Sequence, residues 1–283
     1  MSKVAFVTDS TTYLPKEFLD RYPIRVAPAS IIWSGQVFRD GIDILPEEFY
    51  TRLQTTREMP TTSQATPGVI KDCFDELLAK GYSILGVFLS SKLSGTFDSA
   101  KQALEMLPGK EIVIIDALTG SMGIGWPLLI AARAAEAGAG LAECKALVER
   151  ALKNVGILLT LDTLEFLHRG GRIGAAQRYL GDLLNLKPIL EVVNGAFIGR
   201  ERVRTLQKAL SRIVVLLEEK ISGRSPVRLG VLHANAPDRA NLLFQQAVEL
   251  LHPVETVIAD VSPAVGVHLG PGTVGFAFMA GID

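Results

Sequence analysis

The sequence predicts an α/β protein of two domains: residues 1–160 with a mostly parallel sheet, then an α+β domain over 161–283 with a mixed or antiparallel one. Three observations point there. Short apolar runs alternate with helical patterns through the N-terminal domain, the signature of βαβ units. In the C-terminal domain a pair of strand-like runs meets at Asn194-Gly195, a dipeptide made for a two-residue hairpin turn between antiparallel strands. And of 283 residues 48% are hydrophobic and only 21% charged, with mean hydropathy +0.28, as expected when strands are buried on both faces.

The elements follow in order. Val4–Val7 is an apolar strand and Pro15–Arg21 a short helix. Thr66 is placed to cap a helix that takes Pro67 at its first position, runs to Lys80 and stops at Gly81. Tyr82–Leu89 is a strand, Thr96–Leu107 a helix and Glu111–Ile115 a strand. Trp126–Ala137 and Leu141–Lys153 are helices, and Gly156–Thr160 is a strand. Leu161–Leu167 reads as helical and ends at His168-Arg169-Gly170-Gly171-Arg172. Leu186–Val193 and Ala196–Val203 form the hairpin, Leu206–Ile221 is a long amphipathic helix, and Val227–His233 is a strand. Pro237–Leu251 is a helix and Val254–Val261 a strand; the tail from Gly266 to Met279 is glycine-rich, then strand-like.

Composition excludes several function classes. With 29 Lys+Arg against 30 Asp+Glu the net charge is −1, which argues against a general nucleic-acid binder and against a polybasic membrane anchor. The surplus of apolar residues means a large core, or a protein that hides something greasy besides its own side chains. The uncharged run Val261–Ile282 is long enough to span a bilayer, but Pro263, Pro271 and its glycines would break a spanning helix; Ala117–Ala132 is too short. Neither is read as transmembrane. Met1-Ser2-Lys3 leads into a strand rather than a signal-peptide core. Cys73 and Cys144 make neither a disulfide framework nor a zinc set. The expectation is a soluble, cytoplasmic protein.

Leu89-Ser90-Ser91-Lys92-Leu93-Ser94-Gly95-Thr96-Phe97 is the most informative segment. It follows a strand and opens a helix, where unpaired N–H groups and the positive dipole end favour an anion. Gly95 permits close backbone approach, and Ser94 and Thr96 add hydroxyls; the plainer reading is a helix cap at Ser94. Thr61-Thr62-Ser63-Gln64 is a polar loop or belongs to the same site. Asp9, after the first strand, makes a turn or binds a metal. Gly170-Gly171-Arg172 permits a tight turn carrying a cation, and Arg200, Arg202 and Arg204 alternate and so share one strand face. His268, framed by Gly266 and Gly270, is a positioned polar group; His233 ends a strand, and His168 and His252 belong to the surface. Gly270-Pro271-Gly272-Thr273-Val274-Gly275 spells a dinucleotide fingerprint but does not lead from strand to helix, and is rejected. No P-loop, H-E-x-x-H or G-x-S-x-G motif is present.

Taken together these segments resemble the DegV family of bacterial fatty-acid-binding proteins. The matches run almost end to end: Thr8-Asp9-Ser10, Phe38-Arg39-Asp40-Gly41, Thr61-Thr62-Ser63-Gln64, Leu93-Ser94-Gly95-Thr96, Ile114-Ile115-Asp116, Gly170-Gly171-Arg172-Ile173, Leu186-Lys187-Pro188-Ile189 and Gly266–Gly272. Ala117 stands where a serine is common, and Val267 where a threonine often precedes the histidine.

The resemblance implies an N-terminal α/β/α domain, a C-terminal α+β domain and an acyl chain in a tunnel between them. It implies a non-catalytic carrier, with no cofactor, that presents a long-chain fatty acid to a separate fatty acid kinase for acyl-phosphate formation and touches membrane only transiently. On its motifs Thr62 and Ser94 would hydrogen-bond the carboxylate, with Gly95 and Thr96 in the same turn and His268 beside them. Arg172 and Arg204 would lie near the headgroup or the docking surface. About fourteen buried methylenes supply on the order of 11 kcal/mol gross at ~0.8 kcal/mol each, so headgroup contacts fix orientation more than affinity. Two other readings stay open on the residues: a serine hydrolase using Ser94, His268 and Asp9 or Asp116, and a small-anion sensor.

Overall fold

The structure is a computed structural model that describes residues 3–56, 58–179 and 186–283. Met1 and Ser2, ahead of the expected first strand, lie outside them. Along the chain run β1 (Val4–Asp9), α1 (Lys16–Arg21), β2 (Ile24–Ala27), β3 (Ser30–Trp33), β4 (Gln36–Arg39) and α2 (Pro46–Thr55). Then come β5 (Thr61–Ser63), α3 (Pro67–Ala79), β6 (Ser83–Phe88), α4 (Thr96–Glu105), β7 (Ile112–Asp116), α5 (Met122–Glu136) and α6 (Leu141–Leu152). The rest comprises β8 (Val155–Thr160), α7 (Glu165–Arg169), β9 (Lys187–Val193), β10 (Ala196–Val203), α8 (Leu206–Ile221), β11 (Val227–His233), α9 (Pro237–Leu251), β12 (Glu255–Asp260), α10 (Pro263–Leu269) and β13 (Val274–Ala280).

Two main sheets result. The first is all parallel, in the order β2-β1-β6-β7. Alternating side chains divide between its faces as strand geometry requires. Ala5, Val7, Ile84 and Phe88 pack with Ile70, Phe74 and Leu77 of α3 and with Ala100 and Ala103 of α4. Phe6, Leu85 and Val87 join the core that contains α5 and α6. This is the expected α/β/α layering. The second sheet is mixed, in the order β10-β9-β8-β13-β11-β12, with only β11 and β12 parallel. Leu158, Leu229, Val231 and Phe276 pack beneath α8 and α9, whereas Ile157, Leu159 and Ala277 face the larger core with α5. The fold class read from the sequence is the observed one.

The uncharged runs now have a physical cause. Every residue of α5 from Met122 to Ala132 is buried, because the helix lies between the sheets: it packs on β1 and β13, and Trp126 Nε1 donates to Ala277 O at 3.1 Å. That burial lets α5 start at Met122 and run through Pro127 rather than begin at Trp126 as read from the sequence. β13 is buried along its whole length between β8 and β11. No helix among the described residues is long and apolar enough to cross a membrane.

Other readings change. β8 pairs antiparallel with β9 and β13, so Gly156–Thr160 is a strand of the mixed sheet, not of a parallel βαβ unit. The antiparallel sheet β4-β3-β5 and α2 escaped detection, as their segments are short and mix polar with apolar residues. The helix expected over Leu161–Leu167 is instead Glu165–Arg169. Most consequential is α10, a helix where the glycines suggested irregular chain; Ser262 caps it by accepting from Val265 N at 3.3 Å, with Pro263 at its first position. The G-x-G-x-x-G letters therefore join a helix to a strand, with Gly270 (φ 76°) and Gly272 (φ 81°) turning the chain.

Candidate functional site

In the parallel sheet, β1 leads to β2 on one side and β6 to β7 on the other. Between β1 and β6 the winding direction reverses, and the loops beyond their carboxyl ends separate to leave a crevice, the usual place for a ligand in such sheets. A cavity of about 230 Å³ lies there. Thr11 comes from the loop after β1, Leu89, Leu93 and Ser94 from the loop after β6, and Gly120 and Ser121 from the loop after β7. Thr62, Ser63 and Gln64 come from β5 and its end, and Ser262, Ala264, Val265 and His268 from α10 and its cap. Ile157 and Leu159 of β8, Val192 of β9 and Leu232 of β11 add apolar carbon from the mixed sheet.

Asp9 holds the crevice together. Its carboxylate accepts from Thr11 N at 3.0 Å and, across the separating loops, from Leu89 N at 2.7 Å. It is the turn-maker, and among the described residues no cluster of acidic, histidine or cysteine side chains is disposed to hold a metal. The hairpin also helps to position the site. Asn194 and Gly195 both have positive φ (47° and 82°), as the tight turn requires, and Gly195 O accepts from Ser90 Oγ at 2.8 Å. The hairpin tip thereby clamps the loop that carries Ser94.

At the polar end, Thr62 Oγ1 and His268 Nε2 are 2.9 Å apart. Burial, with the Arg172 charge nearby, lowers the His268 pKa to about 4, so the ring is neutral at pH 7. Its Nδ1 is buried without a partner. An unpaired N–H there would cost more than a bare ring nitrogen, so we assign the proton to Nε2, which donates to Thr62. The Thr62 hydroxyl is then left to donate its own proton into the cavity. Gly170 backs this arrangement: a Cβ there would lie 2.1 Å from His268 Nδ1. The two neighbouring glycines thus serve different needs, Gly170 close approach and Gly171 (φ 68°) the turn itself.

Ser94 Oγ accepts from Thr96 N at 3.2 Å and lies 2.9 Å from Thr96 Oγ1. Gly95 caps α4 but does not line the cavity; it is glycine because the Gln64 carboxamide lies against it, within 2.2 Å of where a Cβ would stand. Gln64 Nε2 donates to Ser99 Oγ at 3.0 Å. Arg172 reaches over the rim, donating to Leu93 O at 3.2 Å and Gly170 O at 2.7 Å. Thr62, Ser94, Thr96, Arg172 and His268 are therefore brought together, with Gly95 behind them. Arg204 is not: it follows β10, is exposed and does not line the cavity. Nor do the three arginines share a simple strand face, because a bulge between Gly199 and Glu201 breaks the alternation and Arg200 pairs with Glu191.

The hydrolase reading is not supported. His268 Nε2 is engaged by Thr62, its Nδ1 has no acid behind it, and Asp116 accepts from Ser91 N and Leu118 N. Gln64 belongs to the candidate polar segment, whereas sequence reasoning singled out none of Thr11, Ser121 and Ser262 in the lining. Position after a strand end was the available signal for Thr11 and Ser121; Ser262 needed recognition of α10.

Residues 3–281 match the family model described as "Uncharacterised protein, DegV family". Protein DegV of Bacillus subtilis is 34% identical over 277 residues, covering 97% of this chain and 98% of that one. A fatty-acid-binding DegV family protein from Thermus thermophilus has a TM-score of 0.93 at 34% identity, over 98% of this chain and 99% of its own. A Thermotoga maritima protein whose structure revealed a fatty acid binding function has a TM-score of 0.88 at 27% identity, over 99% of this chain and 100% of its own. With one family model spanning nearly the whole chain and relatives aligned end to end, the chain is a member of the DegV family.

Proposed function

We propose that this chain binds a long-chain fatty acid in the switch-point cavity and presents its carboxylate, without catalysing a reaction, to a fatty acid kinase that makes an acyl phosphate. One observation carries the reading: Thr62 Oγ1 and His268 Nε2, 2.9 Å apart, line with Ser94 a cavity that Ile157, Leu159, Val192 and Leu232 also line with apolar carbon. A carboxylate needs hydrogen-bond donors but no nucleophile–base pair, and Thr62 and Ser94 offer hydroxyls to it. Thr96 and Gly95 hold the Ser94 turn, and the acyl chain lies along Ile157, Leu159, Val192 and Leu232. Arg172, at the rim, and Arg204, on the surface, face the kinase. No cofactor is required, the chain works in the cytoplasm, and it meets membrane only transiently. The ligand lies between the halves 1–160 and 161–283, the first half lending β8 to the sheet of the second. Likeness to relatives that bind fatty acids supports this.

Mass spectrometry of the protein purified from a bacterial host should find co-bound fatty acid. Ser94→Ala should weaken its retention about tenfold or more, as for one lost hydrogen bond to a charged group, and slow kinase-dependent phosphorylation. A reproducibly empty protein would refute the carrier reading; unchanged Ser94→Ala behaviour would refute the headgroup assignment.

A further inference from the structure

A second cavity, of about 500 Å³, shares a wall with the first. Ser10 and Asp40 line it; Ala29 and Ala264, to which they hydrogen-bond, line the first. Leu14, Leu19, Val26, Ile42, Leu45 and Ile258 form its apolar walls. Three of these, Ile42, Leu45 and Ile258, are 55%, 53% and 40% exposed. Scattered singly such side chains mean nothing, but grouped around one cavity they form an apolar rim.

The floor is acidic. Asp40 is almost fully buried, its oxygens taken by Ser10 Oγ at 2.6 Å and Ala264 N at 3.1 Å. Tyr13 and the partly exposed Asp260 also line the cavity. Little positive charge answers the two carboxylates. Lys16 lies at the edge but pairs with Asp20, and His233 Nδ1 is 3.4 Å from Asp260 Oδ1. Burial together with these carboxylates pushes the Tyr13 phenol up to about 12, and burial pushes Asp40 up to about 6.

We propose that this second cavity binds a small amphipathic ammonium ion, its apolar body against Ile42, Leu45 and Ile258 and its charge at Asp260 and Asp40. An ammonium group carries donors only, and the floor presents carboxylate and phenol oxygens; its hydrocarbon would cover the exposed rim. The size suits a small organic ligand. The inference stands apart from the fatty-acid reading, since no residue of the Thr62–His268 end is involved.

The test is calorimetric titration of the full-length protein with hexylammonium and, for comparison, hexanol. Saturable binding of hexylammonium is expected, with hexanol about tenfold weaker or worse, as for loss of a charged hydrogen-bond partner. Asp260→Asn and Ile42→Lys should each weaken the ammonium about tenfold, by loss of the counter-charge and by repulsion at the rim, while fatty-acid retention stays unchanged. Ile42 is exposed, so its variant tests the site without burdening the fold. Absence of saturable binding, equal affinity for hexanol, or indifference to both substitutions would overturn the assignment.

Discussion

The two sides of the first cavity are built from different regions of secondary structure, and the contrast explains the division of labour. One side is made of ends: loops after β1, β6 and β7, the end of β5, the start of α4 and the short helix α10, carrying Thr11, Thr62, Ser94 and His268. Ends leave backbone and side-chain donors unspent, so polar recognition belongs there. The other side is made of strand middles, where backbone groups are already paired and only side chains such as Ile157, Leu159 and Leu232 are on offer. Strand middles supply area, ends supply direction. On the proposed function, the strand side governs how tightly a ligand holds and the loop side which way it points.

The largest test is on the strand side. Replacing a sixteen-carbon acid by a ten-carbon one removes six methylenes, about 5 kcal/mol gross, so competition binding should show a loss of at least roughly a hundredfold after partial offsets. Comparable affinity for both acids would mean the apolar wall does not meet the chain.

The loop side should respond next. Gly170→Ala drives a Cβ into His268 Nδ1 and must displace the ring. Retention of fatty acid should fall about tenfold, as the oriented Thr62 hydroxyl is lost, whereas a fatty acid methyl ester, which has no carboxylate to orient, should be nearly indifferent. Equal losses for acid and ester would show a general distortion instead.

The smallest effect is on stability against pH, and it separates the loop side from the wall shared with the second cavity. His268 titrates lower folded, at about 4, than its ordinary 6.5, so its contribution is full above pH 6.5 and is lost as pH falls toward 4. Asp40 is raised to about 6 from 3.8, so its contribution is full below about 3.8 and is lost as pH rises through 6. The two oppose each other between pH 4 and 6. Melting temperatures measured over that range should fall more steeply on acidification in Asp40→Asn than in the unaltered chain, and less steeply in His268→Asn. Parallel slopes in all three would show that neither group titrates as its surroundings dictate.

Much of this was legible beforehand because it is local. Thr66 does cap α3, accepting from Val69 N, and Gly81 does end it with φ 79°. Asn194-Gly195 makes the hairpin, and Thr62, Ser94 and His268, each in a segment singled out from the sequence, line one cavity. What escaped is long-range. α10 looks irregular by composition because its glycines answer to neighbours: Gly266 makes room for the Tyr50 hydroxyl and Gly270 for the Phe166 ring. Arg200 to Arg204 look like one face until a bulge shifts the register.

Sequence alone determined the alternation of strands and helices, the caps and turns, and which residue types could meet a carboxylate, since these rest on neighbours a few positions apart. The apolar surplus also stood in the composition, with two explanations. The tertiary structure distributed it: α5 is uncharged because two sheets enclose it, β13 because strands flank it and helices cover it, and Ile157, Leu159 and Leu232 because they face a cavity. Only packing could decide among these, because burial depends on which surfaces meet, and residues far apart in the chain bring those surfaces together.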